Sequence, residues 1–152
     1  MSLTAYVLIG SARTRKSTLL RCLTGCYSRN LRDIELVGGG AVRLYARVSA
    51  LQDSRTSPED FLAEVGRQRC SHTAFILAPQ RSPIDPQRLP DAQAYLDAFT
   101  QAGWRIEKVA VLGADPFQPS GGARSTVARF PNVLNQPINS SAAQLRQHFG
   151  WR

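Results

Sequence analysis

A glycine, a lysine and two hydroxyl side chains stand near the start of the chain in an order that suits phosphate binding. Gly10 follows the apolar run 5–9, and Lys16-Ser17-Thr18 opens a leucine-rich segment with helical periodicity. Because glycine lets the backbone turn sharply out of a strand, loop and helix N–H groups can surround an anion. The spacing therefore predicts a phosphate-binding strand–loop–helix element.

The segment Gly10-Ser11-Ala12-Arg13-Thr14-Arg15-Lys16-Ser17 resembles the P-loop of P-loop NTPases, whose pattern is G-x-x-x-x-G-K-[ST] between a strand and a helix. The resemblance implies that Lys16 reaches the β- and γ-phosphates of a nucleotide and that Ser17 coordinates Mg²⁺. Arg15 replaces the second glycine, and an arginine resists the positive φ which that glycine permits. Three outcomes stay open: weak nucleotide binding, an additional phosphate-binding cation at Arg15, or a loop that binds nothing.

The remaining chain alternates between strand-like and helix-like segments after one early hairpin. Runs 34–37 and 42–48 flank three glycines and predict a β-hairpin, and Ser57-Pro58-Glu59-Asp60 is a helix start. The other expected elements are strands at 74–78 and 109–112, a helix at 92–103, a short strand at 132–134 and a last helix opened by a Ser141-x-x-Gln144 capping box. The sequence predicts one three-layer α/β domain over 1–152, with a mainly parallel sheet.

This layout resembles a small Ras-like GTPase domain, although the confirming motifs are incomplete. The resemblance implies that Asp53 binds Mg²⁺ through water and that Asp115 contacts the nucleotide base. The segment 53–56 lacks the glycine of a D-x-x-G motif, and only Asp115 agrees with N-K-x-D, so ATP and GTP remain alternatives. The candidate binding residues are Gly10, Arg13, Arg15, Lys16, Ser17, Thr18 and Asp115, the candidate metal ligands are Ser17 and Asp53, and the catalytic candidates are Asp53 and Arg124.

The net charge of +8 is concentrated at the two ends of the sequence. Residues 1–32 carry six basic and no acidic side chains, and residues 116–152 carry four arginines and no acid. Such ends favour polyanions, and nonspecific nucleic-acid binding is one expectation. No apolar run is long enough to span a membrane and the start lacks a signal-peptide pattern, so we expect a cytoplasmic protein.

The three cysteines are too few for a disulfide framework. Cys22 and Cys26 stand four residues apart, as on one helix face, and Cys70 and His72 would be the third and fourth ligands of a tetrahedral zinc site. That spacing is not typical of a zinc knuckle, so the sequence favours free cysteines in the core over a zinc site.

Three hypotheses follow from the sequence. The first is a P-loop protein that binds ATP or GTP with Mg²⁺, with hydrolysis by a nucleoside triphosphatase activity left open. The second is a catalytically inactive, P-loop-derived module that binds or assembles with a protein partner. The third is a nonspecific nucleic-acid-binding protein.

Overall fold

A central sheet covered by helices on both faces organises the chain, as a computed structural model describes it for residues 3–121 and 126–152. Within those residues there are six strands and four helices. In chain order the elements are β1 (Thr4–Ile9), α1 (Lys16–Thr24), β2 (Arg29–Glu35), β3 (Ala41–Ala50), α2 (Pro58–Gly66), β4 (His72–Leu77), α3 (Ala92–Gln101), β5 (Arg105–Leu112), β6 (Val127–Phe130) and α4 (Ile138–Phe149).

The strand order is β2-β3-β4-β1-β5-β6, and every neighbouring pair is parallel except the β2–β3 hairpin. Helices α1 and α4 pack on one face of the sheet, while α2 and α3 pack on the other. The prediction of one α/β domain with a mainly parallel sheet and an early hairpin is confirmed. Because β4 pairs with both β1 and β3, it lies between them, an order that the sequence did not reveal.

Each strand that is covered on both faces reads as a continuous apolar run, as expected for a buried parallel strand. In β1, Tyr6 and Leu8 pack towards α1 and α4, and Val7 and Ile9 pack towards α2 and α3. This burial fixes β1 in the middle of the sheet, so the loop that follows it emerges at the centre of the domain.

Two boundary predictions near the C-terminus are wrong. The last strand is β6, at Val127–Phe130, and residues 132–134 lie in turns. Ser141 does not cap the last helix, because α4 begins three residues earlier and Ser141 is fully buried within it. Its hydroxyl accepts a hydrogen bond from the Gln136 amide at 2.8 Å. Ser141 therefore makes a buried polar contact within α4 and does not mark the start of the helix.

A buried ion pair ties α2 to β3. The Arg47 guanidinium is almost fully buried and donates to both carboxylate oxygens of Glu64, at 2.7 and 2.9 Å. Tyr45 donates to Glu64 at 2.6 Å, and Arg47 also donates to the hydroxyls of Ser54 and Thr56. Because each buried charge has a partner, the network holds the segment between β3 and α2 against the domain.

Candidate functional site

The loop at residues 10–15 leaves the carboxyl end of β1 and enters α1 at Lys16. β1 has β4 on one side and β5 on the other. The chain runs from β1 towards β2 and β3 on one side, and later passes from β4 across β1 to β5. In parallel α/β sheets, such a reversal in direction opens a crevice at the carboxyl ends of the strands, where ligands bind. The loop therefore occupies the position that this architecture favours for a ligand.

The backbone of the loop adopts the left-handed conformation at two arginines. Arg13 has φ 68°, and Arg15 has φ 61° and ψ 22°. Arg15 is also the N-cap residue of α1. Its side chain makes no capping hydrogen bond to the helix within the part of the chain that the structure describes. The backbone at position 15 thus has the conformation that the missing glycine permits, although arginine pays a steric penalty there.

Gly10 and Thr14 fit against each other at the base of the loop. A Cβ atom at Gly10 would stand 2.4 Å from the Thr14 Oγ1 atom. Thr14 is itself buried, and its hydroxyl donates to the Ser11 carbonyl oxygen at 2.8 Å. The sequence identified Gly10 as a turn former but missed Thr14, because a threonine inside a loop carries no periodic signal.

Cationic side chains surround the start of α1. The Lys16 ammonium donates to the Ser11 carbonyl oxygen at 3.2 Å, so the lysine folds back over the loop. Ser17 is half-buried and Thr18 is exposed on the first turn of the helix. The exposed Arg15 guanidinium donates to the Gln136 carbonyl oxygen at 3.4 Å, beside the start of α4. Cations at a helix N-terminus oppose its dipole, and an anion bound there would offset that cost.

A crevice of about 250 Å³ adjoins the loop and brings together residues that follow three different strands. It is lined by Ser11, Ala12, Ala78, Pro79, Gln80, Arg81 and Asp115. One carboxylate oxygen of Asp115 accepts a hydrogen bond from the Phe117 N–H at 2.8 Å. Asp115 therefore shares a crevice with the loop, as a base-contacting residue requires. Arg81 was not identified from the sequence, although its place shortly after a buried parallel strand was a usable signal.

Asp53 lines a different cavity. It is exposed in the segment after β3, in a cavity of about 420 Å³ that it shares with Arg55, Asp85 and Arg88, among others. Because strands are spaced about 4.8 Å apart, the end of β3 lies about 10 Å to the side of the end of β1. The structure therefore does not bring Asp53 into the crevice beside the loop. Arg124 lies outside the described residues.

The three cysteines are free, with Cys22 and Cys26 in the core on one face of the sheet and Cys70 on the other. Cys22 is half-buried on α1, and Cys26 is buried beyond the end of that helix, so the two do not share a continuous helix as expected. Cys70 is half-buried before β4, and burial raises the pKa of its thiol. Across residues 3–121 and 126–152, no three metal-ligand side chains are grouped closely enough to hold a metal ion.

Comparison of the chain with protein-family models, with curated proteins and with solved structures finds no match. The resemblance to P-loop NTPases therefore depends on the loop residues and on the layout of the domain. In the part of the chain that the structure describes, no helix combines the length and the apolar character needed to cross a membrane.

Proposed function

We propose that the loop at residues 10–17 binds the phosphate groups of a nucleotide, ATP or GTP. The observation that carries this proposal is the left-handed backbone at Arg15, which opens α1 directly after a central parallel strand. A residue other than glycine in that conformation stores strain, and such strain is concentrated at functional sites. Arg13 has a second left-handed backbone within the same turn.

The chemistry of the loop residues fits a phosphate group. The N–H groups at the start of α1 would donate to the phosphate oxygens, with the helix dipole in the favourable direction. The Lys16 ammonium now contacts a neutral carbonyl oxygen, and a phosphate would offer it a stronger, charge-assisted hydrogen bond. Arg13 and Arg15 are exposed close to the same turn and would add positive charge to the site.

Mg²⁺ fits this site through Ser17 more readily than through Asp53. Bound Mg²⁺ usually keeps several waters and takes one or two carboxylates beside substrate phosphates, and in a P-loop the Ser/Thr hydroxyl at the start of the helix also coordinates it. The Ser17 hydroxyl on the first turn of α1 stands at that P-loop position, whereas Asp53, the candidate carboxylate, lies in another cavity. Mg²⁺ would neutralise phosphate charge there, and the ligand role of Asp53 remains a prediction.

The crevice beside the loop is where we place the nucleoside part of the ligand. Asp115 would accept hydrogen bonds from the base or the sugar through its second carboxylate oxygen, since the first is already used by Phe117. At about 250 Å³ the crevice accommodates part of a nucleotide, while the phosphates extend over the loop.

The second candidate is an inactive P-loop-derived module that binds a protein partner. Arg15 favours this alternative, because a bulky side chain at the glycine position obstructs close approach of phosphate to the backbone. The guanidinium of Arg15 reaches the Gln136 carbonyl oxygen and lies on the surface, where a protein partner could contact it. Phosphate binding distinguishes the two candidates.

A thermal-shift series tests the proposal, because a ligand that binds only the folded state must raise the melting temperature. The ligands are ATP, GTP, ADP, GDP and pyrophosphate, each with and without Mg²⁺. Nucleotide binding predicts a rise of several degrees with a triphosphate at saturation and a smaller rise with pyrophosphate. If no ligand raises the melting temperature at millimolar concentration, the inactive module replaces the nucleotide-binding protein as the preferred function.

A further inference from the structure

The far end of α1 carries a second basic surface, which we call the α1 C-terminal patch. It consists of Arg21, Tyr27, Arg32 and Arg146. Arg21 donates to the Tyr27 carbonyl oxygen at 2.9 Å, Arg32 to Gly25 at 3.3 Å and Arg146 to Cys22 at 2.9 Å. Three guanidinium groups from α1, β2 and α4 therefore converge on the turn where α1 ends.

Tyr27 is the unusual member of the patch. Its side chain is 80% exposed, more than any other large hydrophobic side chain among the described residues. The Arg21 guanidinium carbon lies over its ring, 4.7 Å from the ring centroid. One face of the ring is thus in contact with a cation, and the high exposure leaves the rest of the ring open to solvent.

The helix dipole accounts for only part of this arrangement. Cations are favourable beside the carboxyl end of a helix, so Arg21, Arg32 and Arg146 stabilise α1 in any case. The dipole does not explain an exposed aromatic ring beside them. Asp33, the acidic residue next to Arg32, pairs with Arg43 instead, and among residues 3–121 and 126–152 no acidic side chain forms an ion pair with Arg21, Arg32 or Arg146.

We propose that the α1 C-terminal patch binds single-stranded nucleic acid, with a base stacked on the open face of Tyr27 and the phosphates beside the arginines. Proteins that bind single strands without sequence preference combine aromatic stacking with a positively charged track. Stacking needs an unpaired base, which excludes the interior of a duplex. α1 is nine residues long, or about 14 Å, so the patch is separate from the phosphate loop at the other end of the helix.

Fluorescence anisotropy with a labelled ten-nucleotide oligothymidylate tests this inference on the full chain. Tyr27→Ala should weaken binding about 5- to 150-fold, the range found when one stacking side chain is truncated. Tyr27→Phe keeps the ring and should retain binding. Arg32→Gln should weaken binding and reduce the salt slope by about 0.7, as expected for one phosphate contact on a single strand.

Two variants serve as matched controls. Val37→Ala removes another strongly exposed hydrophobic side chain, at the hairpin tip, and should leave binding unchanged. Lys16→Ala removes a cation from the phosphate loop and should also leave it unchanged, which separates this inference from the proposed function. Circular dichroism confirms that each variant is folded.

Three results with the oligonucleotide, and one with lipid vesicles, would overturn the inference. The first is equal affinity of wild type and Tyr27→Ala for the single strand. The second is equal affinity of wild type for a duplex of the same length. The third is loss of oligonucleotide binding in Lys16→Ala alone, which would place the oligonucleotide on the phosphate loop. If vesicles with anionic lipid bind the wild type and compete with the oligonucleotide regardless of Tyr27, the patch is a lipid surface.

Discussion

Replacing Arg15 with glycine tests whether the loop stores backbone strain. An L-residue in the left-handed conformation costs about 1–2 kcal/mol relative to its right-handed form, and glycine avoids that cost. Arg15 has this conformation, with φ 61°. Glycine also makes the unfolded chain more flexible, which costs about 0.5–1 kcal/mol. Taking the middle of both ranges, the net expectation is a gain of about 0.8 kcal/mol in the free energy of unfolding.

The loss of the arginine side chain changes this expectation little. Its hydrogen bond to the Gln136 carbonyl oxygen is long, at 3.4 Å, and is exposed to water. A bond of that length is weak. For a chain of 152 residues, the expected gain corresponds to a rise in melting temperature of about 1–4 °C.

Arg55 supplies a matched control, because it has φ 56° in a loop that contributes nothing to the crevice beside Gly10. Arg55→Gly should give a similar rise in melting temperature with no effect on phosphate binding. Arg15→Gly should also strengthen nucleotide binding, since the backbone then closes on the phosphate. Differential scanning calorimetry measures the first effect and titration calorimetry the second.

Two results would contradict this reasoning. A fall of several degrees in the melting temperature of Arg15→Gly would mean that the loop is not strained at this position. If Arg15→Gly gains stability but binds nucleotide less well than the wild type, Arg15 is a phosphate ligand rather than an obstacle.

Three further substitutions test other parts of the structure. Gly10→Ala should lower the melting temperature because its Cβ would meet a buried hydroxyl at 2.4 Å, whereas Gly66→Ala, with open space around its Cα, should not. Glu64→Gln leaves Arg47 buried without its full anionic partner and should cost about 3–5 kcal/mol in urea unfolding, the cost of breaking a buried ion pair. Asp53→Asn should weaken Mg²⁺-dependent nucleotide binding if Asp53 is a metal ligand, and unchanged Mg²⁺ titrations would remove it from the site.

The same ion pair predicts how stability depends on pH. Burial raises the pKa of Glu64, but hydrogen bonds from Tyr45 and Arg47 and the nearby positive charge outweigh this and hold the pKa below its usual value. Since the folded pKa lies below the unfolded pKa, the stabilisation is present above the unfolded value. It is lost as the pH falls through the folded pKa. Glu64→Gln should therefore flatten the acid limb of the stability profile.

Most elements of the fold follow from local patterns. The helix start at Ser57 is confirmed, with a capping box to Asp60. Gly25 ends α1 in the left-handed conformation that glycine commonly adopts after a helix. The strand order was not predictable in the same way. Which strands are neighbours depends on packing between distant segments, and the buried apolar runs of β1, β4 and β5 look alike in sequence. The position of β4 between β1 and β3 therefore required the structure.

The sequence predicted which residues form the candidate site better than it predicted their conformations and contacts. Gly10 and Lys16 could be identified because their types and spacing match a known chemistry. The positive φ of Arg15 could not, since the identity of the residue argues against that conformation. The burial of Thr14 against Gly10 depends on tertiary packing, whereas the place of Arg81 shortly after a buried parallel strand was a usable signal in the sequence.

The most direct test of phosphate binding is titration calorimetry of ATP and GTP, with Mg²⁺, into the wild type and Lys16→Ala. Lys108→Ala is the matched control, because Lys108 is the only other lysine in the chain and lies on β5. Lys16→Ala should retain its melting temperature or gain slightly, since a cation at a helix N-terminus is unfavourable without an anion. We predict binding by the wild type and by Lys108→Ala, and no detectable binding by Lys16→Ala. Equal binding by all three proteins, or binding by none of them and none by Arg15→Gly, would contradict a phosphate site in this loop.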